Sequence, residues 1–350
     1  MRWSWRFAGF AVLLACGGGN GGVTPEIPAT GRSAAAERQL ALVPSGAEFV
    51  LQIDVPKFWR RSDGRDAEQL LNRILAAEAE ELDFRCLFDL AEDVGVATFF
   101  ISDPPNGSES GALLLEIDRT PDEVADCLGK ASGGDLGRIP DPPPEWSDAI
   151  ALGEGGRVDS VVFEREDGVV VFAEAGFGRV LLGSGPERPI ADDPLYRSLL
   201  ERAGPGDATA VMIDRPDGYS GAPLRMRGIA GSVRADGAGR VARAVFVSGD
   251  PEEVGEVVAD FQESRREIRE AVAEMRGGIE DAPVPFDVDP ARVLRTVDTA
   301  MEFVRSVRVQ VEETSAAFEL ALPDDLDLRA FVSDLGYALI VVLGLEIIDW

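Results

Sequence analysis

The chain of 350 residues contains no histidine. That absence removes the base of Ser-His-Asp and Cys-His nucleophilic sites. It also removes the imidazole ligands of the usual zinc centres and of histidine-held haem. Lysine is nearly as scarce: only Lys57 and Lys130 occur, and the rest of the 34 basic residues are arginine, which reads as the coding bias of a GC-rich genome. Asp54 and Cys127 stand three positions before the two lysines, so a Ser-x-x-Lys hydrolase motif is absent too. Any catalysis would rest on carboxylates, tyrosine or a lone lysine. Positive charge is short overall, with 34 Lys and Arg against 63 Asp and Glu and a formal charge of −29. Such an excess repels nucleic acid and anionic membrane surfaces, so no nucleic-acid partner is expected. It permits a basic partner or a cation, and its plain reading is a solvated acidic surface. Apolar runs are short. A C-terminal run, Ala338-Leu339-Ile340-Val341-Val342-Leu343-Gly344-Leu345, lies among Asp334, Glu346 and Asp349 and is too brief to span a bilayer. It reads as part of a buried final helix, or else a partner-facing surface.

What is present begins at the N-terminus. Arg2 and Arg6 precede an apolar stretch over 7–15 interrupted only by Gly9, and small residues surround Cys16. A basic start, a brief apolar middle and a small-residue end form a secretory signal. The sequence Leu13-Leu14-Ala15-Cys16 resembles the lipobox of bacterial lipoproteins. In that family the signal is cut before the cysteine, and acyl chains such as palmitate are attached to the sulfur and the new amino terminus. The resemblance therefore implies a signal peptide at 1–15 and lipid on Cys16. Gly17, rather than Asp, follows the cysteine, which in the enterobacterial family implies the outer membrane. The alternatives are an ordinary secretory signal with a coincidental cysteine and a buried core helix. The tract Gly17-Gly18-Gly19-Asn20-Gly21-Gly22 breaks any helix and reads as a tether. With Cys16 assigned to lipid, Cys86 and Cys127 remain. An even pair in an oxidising compartment points to a disulfide, the alternative being two separate buried thiols.

Residues 16–40 read as lipidated cysteine and linker, with a short helix at 33–39. Strands are expected at 48–55, 94–101 and 112–117, and helices at 66–80 and 84–91. Thr120-Pro121-Asp122-Glu123 is a capping box opening a helix to about 130. Residues 131–157 read as a break. Strands at 160–166 and 169–174 flank the turn Asp167-Gly168, with a third at 180–183. A helix follows at 194–202. The second half places strands at 208–213, 226–235, 241–248, 307–312 and 316–322, and helices from 250 to 275, 289 to 304 and 324 to 343.

The run Leu114-Leu115-Glu116-Ile117-Asp118-Arg119-Thr120-Pro121-Asp122-Glu123-Val124 is similar to Val245-Phe246-Val247-Ser248-Gly249-Asp250-Pro251-Glu252-Glu253-Val254, and 317–328 forms a looser third copy. Either a duplication or common reuse of capping chemistry explains this. The resulting expectation is an α+β fold: antiparallel sheets with helices packed on one face, in two related halves at 41–205 and 206–350. The opening Leu42-Val43-Pro44-Ser45-Gly46-Ala47-Glu48-Phe49-Val50, with Asp54, resembles the repeat starts of duplicated-domain bacterial envelope proteins of unknown function. That resemblance implies no catalytic residues.

Candidate sites are few. Asp192-Asp193 and the group Asp324, Asp325 and Asp327 are candidate calcium ligands, but neither has EF-hand spacing, and helix caps explain both. Gly183-Ser184-Gly185-Pro186 lacks the Lys-Ser/Thr of a phosphate loop, and Gly107-Ser108-Glu109-Ser110-Gly111 has Glu where a nucleophile would stand. No metal, cofactor or catalytic residue is assigned. The expectation is a non-catalytic outer-membrane lipoprotein facing the periplasm or exterior, with a structural, assembly or binding role. Its expected partners are the membrane, through the lipid, and an envelope protein. A module for lipid or apolar ligands and a carboxylate-based hydrolase are the alternatives.

Overall fold

The computed structural model describes residues 33–59, 86, 93–102, 110–131, 136–213, 226–235, 239–281 and 290–323. The signal sequence, Cys16, the expected helix at 66–80, most of that at 84–91 and the C-terminal helix lie outside these residues. The described helices are α1 (Ala34–Leu40), α2 (Val55–Trp59), α3 (Pro121–Ala131), α4 (Ala175–Leu182), α5 (Pro194–Ala203), α6 (Pro251–Asp281) and α7 (Pro290–Ser306). The strands are β1 (Ala47–Asp54), β2 (Val94–Ser102), β3 (Ser110–Ile117), β4 (Gly137–Arg138), β5 (Ile150–Gly153), β6 (Ser160–Glu164), β7 (Val169–Glu174), β8 (Ala208–Ile213), β9 (Met226–Ala235), β10 (Gly239–Ser248), β11 (Arg308–Glu312) and β12 (Ser315–Pro323).

The strands form one twelve-stranded sheet in the order β11-β12-β10-β9-β8-β1-β2-β3-β7-β6-β5-β4. Every pairing with a resolved register is antiparallel. This overturns the expectation of separate antiparallel sheets in two related halves. β1 has a hydrogen-bonded neighbour on each side, β2 through Val50↔Phe100 and β8 through Val50↔Val211, so the first strand sits inside the sheet. The strand-to-helix junctions that suggested a repeat exist at β3–α3 and β10–α6. They lead into helices of 11 and 31 residues, so what they share is a cap. Two compact units divide within β9: Met1–Ala222 with Arg227–Ser232, and Pro223–Met226 with Val233–Trp350.

In the first unit the sheet is covered on both faces, not one. Cross-strand partners share a face. One face therefore carries Phe99, Leu113, Phe172 and Val162, and the other carries Phe100, Ala112, Ala173 and Val161. The first set packs with Val124, Ala125 and Cys127 of α3. On the second, Phe177 of α4 meets Phe100 edge to face, with ring centroids 5.4 Å apart. The physical reason is visible in the strands: Phe99-Phe100, 112–115, 161–163 and 169–173 are apolar at successive positions, so neither face tolerates water.

The expected strand at 180–183 is instead the end of α4. Phe177 and Leu181 bury at helical spacing, and Gly178 lies between them. A Cβ on Gly178 would meet Val161 Cγ2 at 2.3 Å and the Trp146 ring at 3.2 Å, so only glycine lets the helix approach the sheet. The expected break at 131–157 contains β4, β5 and a single 3-10 turn, Pro144–Trp146, whose Trp146 is buried. The Asp167-Gly168 turn forms as its sequence indicates, with Gly168 at φ 77° and β6 paired to β7. In the second unit β11 and β12 form a hairpin and β12 pairs β10. Phe261 of α6 lies 4.7 Å from Phe318 of β12, which seats that helix on one face of these strands.

Gly178→Ala is expected to destabilise the fold by about 1–3 kcal/mol through overpacking. Gly176→Ala meets only Ser110 Oγ at an ordinary 3.5 Å and leaves stability unchanged or slightly higher. Urea unfolding of the two variants checks this; equal midpoints would refute the close approach.

Candidate functional site

Where the chain leaves the N-terminal segment, α1 is fastened to the sheet by a buried polar group that the sequence reading did not single out. Ser33 caps the helix, its Oγ accepting from Ala36 N–H at 3.2 Å. Ala35, Ala36, Gln39 and Leu40 are buried. The Gln39 amide donates to the Val96 carbonyl at 2.9 Å, and its Oε1 accepts from the Thr98 hydroxyl at 2.6 Å. From β1, Gln52 Nε2 donates to the Ala36 carbonyl and to Thr98 Oγ1, both at 3.0 Å. Gln39, Gln52 and Thr98 thus satisfy one another and the backbone in a dry setting, where each bond is strong and each loss costly. The signal available in the sequence was Gln52 inside the apolar run Val50-Leu51-Gln52-Ile53.

The following segment is held as well. Ser45 N–H donates to the Arg188 carbonyl at 2.8 Å, Ile190 N–H donates to that of Val43 at 2.7 Å, and Pro44 bridges Pro189. Outside the core, Arg38 of α1 reaches Glu116 of β3 at 3.2 Å across the surface. Any pull on residues before Ser33 is therefore delivered to β1 and β2, two interior strands of the first unit.

Cys86 and Cys127 form a disulfide, with S–S 2.20 Å, Cα–Cα 5.5 Å and a sequence separation of 41. Cys127 lies on the buried face of α3 beside Val124 and Ala125. In the chain-entropy description a loop of this size stabilises by about 4 kcal/mol. Cys16 lies outside the described residues.

Charged groups near α3 have structural partners. Thr120 N–H and Thr120 Oγ1 both donate to Glu123 Oε2 at 3.0 Å, and Glu123 N–H returns a bond to Thr120 Oγ1 at 3.3 Å. The Thr120 backbone N–H, then its hydroxyl, then the Arg119 guanidinium hold the Glu123 carboxyl below the ordinary glutamate range. Arg119 also reaches Asp93 at 2.6 Å, and Arg138 of β4 spans Asp122 and Asp126 at 2.6 and 2.8 Å. These pairs are exposed and contribute little individually.

The acidic pair 192–193 separates into two roles. Asp193 Oδ1 accepts from Leu195 and Tyr196 N–H at 2.8 and 3.1 Å and caps α5, while Asp192 pairs Arg197 at 2.9 Å. Residues 183–186 follow a helix, not a strand. Arg165 donates to the carbonyls of Leu181 and Gly183, so a guanidinium caps the C-terminal end of α4. Asp324, Asp325 and Asp327, residues 103–109 and the apolar run at 338–345 lie outside the described residues. Among the described residues no group of three or more Cys, Asp or Glu is arranged to hold a metal ion. Among them, too, no helix is long and apolar enough to cross a membrane.

No protein-family model matches the chain, and no curated protein matches it. Among solved structures it is similar to crystal forms of the Treponema protein TP0453. Form III aligns at 10% identity and TM-score 0.42 over 84% of this chain and 97% of that one. Form I gives 10% and 0.40 over 85% and 97%, and form IV gives 9% and 0.41 over 84% and 96%.

Thr98→Val removes the donor to Gln39 Oε1 and one acceptor of Gln52, and is expected to cost about 1–3 kcal/mol. Combined with Gln39→Met it costs less than the sum of the single changes, because both act on one network; strict additivity in urea unfolding would refute the coupling. Glu123 is expected to titrate below an ordinary glutamate by NMR. A carboxyl lowered on folding stabilises above its unfolded pKa, and that stabilisation is lost as pH falls through the folded value. Thr120→Val removes the hydroxyl donor and raises the midpoint part of the way toward the ordinary range, because the backbone N–H and Arg119 remain; an unchanged midpoint would discount the hydroxyl's share of the cap.

Proposed function

We propose that the protein is a cell-envelope lipoprotein, acylated on Cys16 and held at the outer membrane, whose acidic body serves a non-catalytic structural, assembly or binding role. The observation that carries this reading is the sequence Leu13-Leu14-Ala15-Cys16 with the Gly-rich tract behind it. The seat of α1 supports it. Load on a lipid-anchored N-terminus reaches the body first through α1, and α1 is bound by buried hydrogen bonds and a buried apolar face. Residues 17–32 reach at most about 55 Å, whatever their conformation, so the anchor confines the body to the membrane vicinity. Several acyl chains at about 0.8 kcal/mol per buried methylene make such attachment effectively permanent. The excess of acidic residues keeps the body from lying flat on an anionic surface and leaves it facing the aqueous side. The cystine Cys86–Cys127 suits an oxidising compartment. Confinement near the membrane and the lack of histidine-based chemistry support a role in positioning or binding an envelope protein partner.

The test is membrane partition. The wild-type chain expressed in a Gram-negative host is expected to enter the detergent phase and to carry diacylglyceryl and acyl masses on an N-terminal Cys16 peptide. Cys16→Ala is expected to remain in the aqueous phase with its cystine intact. An unmodified Cys16 with Met1 still attached would overturn the reading.

A further inference from the structure

Among the described residues the sheet has two unlike edges. One ends in β4, only two residues long, and short edge strands are how proteins blunt unwanted pairing. The other ends in β11, Arg308-Val309-Gln310-Val311-Glu312, which has neither proline nor lysine nor a bulge. Val311 is 57% exposed. Glu312 and Ser315 face each other across the two-residue turn Glu313-Thr314. In such a hairpin the closing pair exchanges backbone hydrogen bonds, and so does every second pair after it. Arg308, Gln310 and Glu312 therefore direct their backbone groups toward β12. Val309 and Val311 direct theirs to the open edge.

We infer that β11 is a self-pairing edge, at which a second copy of this chain adds its own β11 antiparallel about a two-fold axis through Gln310. The sequence is self-complementary in that one register. Val309 of each copy meets Val311 of the other, and these are the residues whose N–H and C=O groups face outward. The pairing closes four backbone hydrogen bonds and two Val–Val contacts on one face. On the opposite face Arg308 of each copy meets Glu312 of the other. That contact continues a charge pattern already present: Arg243 of β10 lies 3.6 Å from Glu319 of β12, and Arg308 stands opposite Glu319 in register. Crossing the strands, the signs run plus, minus, plus, and the second copy supplies the next minus. Opposite charges directly across strands stabilise, and like charges destabilise. Shifting the register by two residues opposes Val309 to itself and loses both ion pairs. Because the contact is isologous, it closes at two copies.

Five residues a side bury less than the roughly 1,200 Å² of stable interfaces, so the pairing is weak in free solution. Screening over about 8 Å at physiological salt lets the local pattern act despite the net charge of each body.

Disulfide trapping tests this independently of lipidation when done in the full chain carrying Cys16→Ser, where Cys86 and Cys127 are already bridged. Across the axis, Gln310 faces its own copy in a non-hydrogen-bonded pair, with Cα atoms about 4.5 Å apart, within disulfide range. Gln310→Cys is expected to yield a covalent dimer under mild oxidation. Val311→Cys, whose counterpart is Val309, is expected to cross-link at least about tenfold more slowly. Adding Arg308→Glu to Gln310→Cys places two like-charge pairs across the edge and slows trapping about tenfold. Adding Glu312→Arg as well restores it. Circular dichroism and an intact Cys86–Cys127 peptide verify folding of each variant. Equal trapping of Gln310→Cys and Val311→Cys, or no recovery in the charge swap, would overturn the proposal.

Discussion

Apolar residues at consecutive positions in β2, β3, β6 and β7 impose a demand that a one-sided sheet cannot meet, because their side chains alternate between faces. α3 answers it on one face and α4 on the other, with Trp146 wedged against Gly178 where α4 crosses β6. The glycine, the cystine and the guanidinium of Arg165 all serve that covering. Gly178 lets one helix approach, Cys127 ties down the other, and Arg165 closes the carbonyl end of α4.

Within this dry interior, the polar exceptions are the ones with consequence. Gln39, Gln52 and Thr98 hold α1 to the two strands β1 and β2, and α1 is the first described element after the segment proposed to carry lipid. A short helix held by apolar contact alone slides easily. Directional bonds to Val96 O and Ala36 O set its register on the sheet. Mechanical attachment and fold stability thus meet at one buried group.

Much of the local structure was legible. The capping box at Thr120–Glu123 signals its helix through a pattern of adjacent residues, and so do the cap at Asp193 before Pro194 and the turn at Asp167-Gly168. Such features depend on neighbours in sequence, and propensity reads them directly. The two glycines at 176 and 178 concealed α4, because their low helix propensity is overridden where Gly178 lets the helix approach Val161 and Trp146. β4 and β5 escaped notice because a two-residue strand and a four-residue strand have too little pattern to stand out. Gln39, Gln52 and Thr98 are separated by up to 59 residues, and nothing local links them.

The sequence alone determined the chemistry that is missing, the acidic character, the lipobox-like start and most strands and caps, since these follow from composition and short-range pattern. Only tertiary structure decided that the described strands join into one sheet, that both faces of its first unit are covered, and that β11 stands at an edge of those strands. Each of these depends on which distant segments become neighbours. That choice is made by the competition to bury apolar surface and satisfy backbone groups across the whole chain, and a local window carries no record of it.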